Sequence, residues 1–98
     1  MFRRLLNALR DRRTKIDDQR YLYRVDRDGY RYCEGPRCLL VQVELLSGRP
    51  NCLIYASTID RWLPPHEGEP ISADKRKEIA ETIRLFLEKS GDHPAIQW

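Results

Sequence analysis

Cysteine, histidine and glycine are scarce in this 98-residue chain, and each scarcity removes a class of chemistry. The three cysteines (Cys33, Cys38, Cys52) are an odd number without the spacing of a disulfide framework. They read as reduced, partly buried thiols that pack as small hydrophobes. His66 and His93 are the only histidines, one in a proline-rich stretch and one in the tail. No nucleophile–base pair is evident from them. Five scattered glycines form no phosphate cradle, so no catalytic residues and no cofactor are expected. Cys33, Cys38, Cys52 and His66 make a C-x4-C-x13-C-x13-H series whose ligand types suit zinc. That spacing matches no ribbon or finger, so no metal is expected either.

Long hydrophobic runs are missing too. Stretches such as Leu39-Leu40-Val41 fall far short of the roughly 20 residues a membrane helix needs. Met1–Arg13 has leucines broken up by arginine throughout, unlike a secretory signal, which suggests a cytoplasmic protein. An excess of one charge is also lacking over most of the chain. Residues 1–20 carry seven Lys/Arg against three Asp, whereas residues 21–98 carry eleven against twelve acids. The net +3 therefore belongs to the start of the chain, and the rest is near neutral.

What is present is a change of period. Phe2, Leu5, Leu6 and Leu9 recur at helical spacing among five arginines, predicting a short basic amphipathic helix in an arm over residues 1–14. It needs a surface to lie on, because a helix this short is marginal alone. The body, a membrane surface and nucleic acid are the candidates. Residues 15–98 read as a single α+β domain. From Arg20 the period is two: Tyr21, Tyr23 and Val25 alternate with Leu22 and Arg24. Asp26-Arg27-Asp28-Gly29 signals a turn, and Gly35-Pro36 another. Leu39, Val41, Val43 and Leu45 line one face of a third strand, and Cys52–Ala56 forms a fourth. Ser57–Trp62 is a further strand or a turn. Such local connections predict an antiparallel meander of four to five strands with one apolar face.

Arg61–Ser72 divides the two periodicities. Pro64, Pro65 and Pro70 fix φ and remove backbone donors, so this stretch should be a stiff extended connector anchored by Trp62. Ser72 is placed to cap a C-terminal helix carrying the stripe Ile79, Ala80, Ile83, Phe86 and Leu87, with Gly91 to end it. That helix packs on one face of the sheet. The tail from Asp92 to Trp98 returns as a short edge strand, with Ile96 and Trp98 on the body.

Two functions suit these patterns. Tyr21, Tyr23, Tyr30 and Tyr32, interleaved with Arg24, Arg27 and Arg31, suit a nucleic-acid-binding sheet face. Cross-strand tyrosine pairs also simply stabilise hairpins, and Asp26, Asp28 and Glu34 dilute the positive field. The strands, Trp62-Leu63-Pro64-Pro65-His66, then Pro70-Ile71-Ser72 and an amphipathic helix resemble the immunity protein 74 family of bacterial polymorphic toxin systems. The likeness spans Tyr21 to Leu87. It implies non-catalytic binding of a cognate protein toxin, at its active site or an adjoining surface, inside the producing cell. Under this resemblance Trp62, Pro64, Pro65 and His66 are fold determinants. Exposed charged and aromatic residues would read the toxin: Asp60, Glu67 and Glu69 around the connector, and Tyr30, Arg31, Tyr32 and Arg37 on the hairpin edge. An exposed strand edge would also allow two copies to pair, leaving the oligomeric state open.

Overall fold

Alternation in the first half of the chain and helical periodicity in the second produce a six-stranded sheet and one long helix. The computed structural model describes residues 14–98, so the basic helix expected in residues 1–13 lies outside the described residues. The strands are β1 (Thr14–Lys15), β2 (Arg20–Arg24), β3 (Gly29–Glu34), β4 (Arg37–Leu45) and β5 (Cys52–Tyr55). A 3₁₀ turn (Ala56–Thr58), the helix α1 (Ala73–Lys89) and β6 (Pro94–Gln97) follow.

β1 to β5 pair antiparallel in chain order, as the meander predicted. β6 then joins β5 in parallel at the far edge, with α1 in the crossover. Parallel neighbours need such a long connection, and α1 supplies it. The turns carry the chemistry their positions require. In the β2–β3 turn, Asp26 Oδ1 accepts from the Asp28 amide, and Arg24 donates to the carbonyls of Asp26 and Arg27. In the β3–β4 turn, Gly35 at φ +58° holds the first central position of a two-residue hairpin loop. Positive φ there matches the twist of the flanking strands.

Helix α1 is bounded at both ends as the sequence indicated. Ser72 Oγ accepts from the Lys75 amide at 3.0 Å, and Asp74 sits in the first turn beside the positive end of the helix dipole. At the other end Gly91, at φ +98°, donates to the Glu88 carbonyl and Asp92 to that of Leu87. This pair of bonds is a Schellman closure.

Direct pairing in the register puts Leu22, Tyr32 and Leu39 on one face of the sheet, with Val43, Ile54 and Ile96. This face meets Ile79, Ala80, Ile83 and Leu87 of α1, with Ile59 and Trp62 closing the core. Burying each large aliphatic side chain contributes about 2 kcal/mol, so the helix stripe alone rivals the net stability of a small domain.

Three expectations need correction. Cys33 and Cys38 are joined in a disulfide instead of being reduced thiols, because the two-residue turn sets them directly opposite one another. Trp98 is 58% exposed and does not pack on the body; β6 ends one residue before it, and only Ile96 reaches the core. The connector is not extended either. His66 N–H bonds Leu63 O and Glu69 N–H bonds His66 O, both at 3.0 Å, closing two consecutive turns.

Candidate partner-binding surface

The connector takes the place of a strand. β5 pairs β4 only from Gln42 to Leu45, which leaves the first half of β4 without a partner strand on that side. The Leu63 amide donates to Cys38 O at 2.7 Å, and the Gln42 amide to Thr58 Oγ1 at 2.9 Å. These bonds satisfy edge groups that burial would otherwise leave unpaired. Trp62, buried in the core, anchors the segment, and the exposed Pro64 and Pro65 follow it.

Beyond the prolines the connector is fastened by charge. Glu69 accepts from Arg37 Nε on one oxygen and faces His66 Nδ1 with the other, each at 2.7 Å. The Arg37 hydrogen bond, then that of His66, holds the Glu69 carboxyl below its ordinary pKa. Lys75 at the start of α1 bridges Glu34 and Glu78, tying the helix to the same end of the sheet. Glu69, Arg37 and His66 are therefore engaged with one another, while Asp60 and Glu67 stay exposed. Arg61 reaches Asp60 at 4.0 Å.

The register separates the tyrosines. Tyr30 and Tyr32 point toward the helix side. Tyr32 is 0% exposed, and its hydroxyl bonds Glu34 at 2.9 Å, so its side chain offers nothing to a partner. Burial pushes the Tyr32 phenol far up, with the Glu34 charge adding to the effect. Tyr30 is half-buried and lines a groove of about 600 Å³ with Leu22, Arg24, Phe86 and Asp92. Burial raises its pKa as well.

Tyr21 and Tyr23 occupy the opposite face. There Tyr23 pairs across to Arg31 and Arg31 to Leu40, while Tyr21 pairs to Cys33 and Cys33 to Cys38. Further along, Gln42 pairs with Tyr55 and Glu44 with Leu53. Among the described residues no helix or strand packs on this face. On β2 to β6 it carries only Arg31 and Glu44 as charges, although 34% of the chain is charged. Glu44 accepts a hydrogen bond from the Tyr55 hydroxyl, which raises the Tyr55 pKa. The Arg31 side chain, half-buried, makes no hydrogen bond or ion pair among the described residues, and its Nε is fully covered and unpartnered. Leu40 beside it is 48% exposed.

Of the residues the sequence offered for reading a toxin, Arg31 alone lies on this open face, which it shares with Tyr21 and Tyr23 of the nucleic-acid reading. Arg37, His66 and Glu69 form a separate cluster at the β3–β4 end. Leu40, Leu53 and Tyr55 were missed as surface candidates. Strand parity could have found them, because they alternate with the core positions Leu39, Val41 and Ile54.

Cys33, Cys38, Cys52 and His66 do not converge. The first two are paired with each other, Cys52 is a buried free thiol on the core face, and His66 faces Glu69. Among the described residues no helix is long and apolar enough to cross a membrane.

No curated protein and no solved structure matches the chain. The family model described as immunity protein 74 matches residues 24–94, which take in the strands from β3 onward, the connector, α1 and the start of β6. The chain belongs to the immunity protein 74 family.

Proposed function

We propose that this protein neutralises a cognate bacterial toxin of a polymorphic toxin system by binding it without catalysis, through the open face of the sheet. The observation that carries this reading is Arg31. It is an arginine with no partner of its own among the described residues, set between Tyr23 and Leu40 on a face nearly free of other charge. Interface cores are enriched in tyrosine and arginine and depleted in lysine and acids, and this face has that composition. An arginine held by its neighbours and lacking an acceptor gains most when a partner's carboxylate arrives. Binding there would cover the toxin's active site or an adjoining surface. Asp60 and Glu67 lie apart from it on the connector and would act at the rim, where charge chiefly sets association rate.

The nucleic-acid alternative is weaker on this geometry. Of its four tyrosines only Tyr21 and Tyr23 share a face with Arg31, and Arg24 is held by the carbonyls of its own turn.

The test is co-expression with the toxin-like reading frame adjacent to the gene. Wild-type protein should restore growth, and Arg31→Glu should not, while its circular dichroism and melting stay near wild type. Protection by a folded Arg31→Glu variant would remove the open face from the proposal. Failure of the wild type to bind the toxin, together with a gel shift of RNA or DNA at moderate salt, would favour the nucleic-acid reading.

A further inference from the structure

The sheet has two outer edges among the described residues, and they are guarded differently. β1 is two residues long and runs into Asp17 and Asp18, with Lys15 paired to Asp18 at 3.2 Å, so that edge is short and charged. Natural sheets use such charges to keep other strands from adding to an open edge. β6 has no such guard, because no charged side chain occurs from Pro94 to Trp98. Ala95 and Ile96 are only partly buried, and Trp98 beside them is 58% exposed.

Pro94 decides which backbone groups of β6 face outward. At each position of a parallel pair, one residue bonds through its own N–H and C=O, and the other strand answers through the two residues flanking its opposite number. Pro94 stands opposite Cys52 and has no N–H, so Cys52 bonds there, to His93 and Ala95. The His93 carbonyl does turn to that side, accepting from the Asn51 amide at 3.1 Å. By alternation, the outward groups are the C=O of Pro94, the N–H and C=O of Ile96, and the N–H of Trp98. An edge position of this kind is where a strand tolerates proline.

We propose that this edge pairs with the same edge of a second copy of the chain, antiparallel and centred on Ile96. The outward groups are self-complementary in that register. Each Ile96 exchanges both N–H···O=C bonds with its counterpart, and each Trp98 N–H meets the Pro94 C=O of the other copy. The two missing Pro94 donors fall at the outer ends of this ladder, where the facing carbonyls turn to water. Side chains favour a second copy over a foreign strand. Residues directly opposite share a face, so the two Ile96 side chains meet beside the core and each exposed Trp98 ring lies on Pro94 of the other copy. Ala95 faces Gln97 on the open side, since their β5 partners are Leu53 and Tyr55. Such an isologous contact closes on itself, so assembly stops at two copies. The pair forms one continuous sheet with both open faces on the same side.

The contact uses one short strand from each copy, so the dimer belongs to the weak, concentration-dependent class. The test is sedimentation equilibrium of the full chain from micromolar to millimolar concentration. Wild type should rise from the 11.7 kDa chain mass toward twice that value. A chain carrying Ala95→Lys and Gln97→Lys should stay monomeric, as should one carrying Ala95→Glu and Gln97→Glu, because like charges then stand opposite one another. An equimolar mixture of the two should dimerise. Wild type that keeps the chain mass at millimolar concentration would overturn the proposal, as would a dimer that the lysine variant leaves intact. So would a monomeric wild type whose folded lysine variant no longer protects against the toxin, which would assign the edge to a strand of the toxin. If a double variant fails to fold, Trp98→Ala serves in its place. It should weaken dimerisation about tenfold, as the loss of an aromatic anchor does, with an unchanged melt of the dilute protein, and undiminished dimerisation would overturn the proposal.

Discussion

Arg37, the first residue of β4, and Glu69, in the connector, are 32 positions apart in the chain and meet at 2.7 Å. Through this pair, and through His66 on the other carboxylate oxygen, the turn-forming connector is held against the hairpin whose edge it covers. The connector motif therefore acts on the fold at both ends, by the burial of Trp62 and by the charge of Glu69.

The Glu69 pKa is depressed, so its contribution is present above the ordinary carboxylate value of 4.5 and is lost as pH falls through the lower folded value. Glu69→Gln should melt below wild type at neutral pH. The two should converge in acid, as pH falls through that lower folded value. The pair is partly exposed, so the gap at neutral pH should be small and should shrink in high salt. Melting curves across pH check this.

Trp62→Ala should cost about 3–5 kcal/mol, because it removes a large buried side chain whose site cannot fully collapse. Urea unfolding would measure it. A loss under about 1 kcal/mol would mean that Trp62 does not anchor the connector.

Ile83 is wholly buried against the sheet, and Ile83→Asp places an unpaired carboxylate there. The variant should lose its cooperative thermal transition altogether. A melt close to wild type would contradict the packing of α1.

Leu40→Asp is the opposite case. Leu40 lies on the open face, half-exposed, so stability should change by only about 0.5 kcal/mol. Under the proposed function the same variant should lose protection against the toxin. A change in protection without a change in Tm separates binding from folding.

Much of this was legible in the chain because it rests on local rules. Ser72, Asp74 and Gly91 bound α1 by capping chemistry that acts within a few residues. The Gly35-Pro36 turn and the alternation through Leu39–Leu45 defined a hairpin and its apolar face. The candidate surface was less legible. Arg31 was singled out, but it was grouped with Tyr30 and Tyr32, its immediate neighbours, which point to the other side of the sheet. Reading a hairpin edge as one surface ignored the period of two that had defined the strands.

The amino-acid sequence by itself determined the elements, their order and the stripe by which α1 is buried, since periodicity, caps and turn residues act over short distances. Only the tertiary structure decided that β6 pairs in parallel, that Cys33 bonds Cys38, and that Arg37 reaches Glu69. It also left Arg31 on an open face without a partner among the described residues. Those outcomes depend on which residues are brought opposite one another across strands and loops, and local pattern carries no term for that.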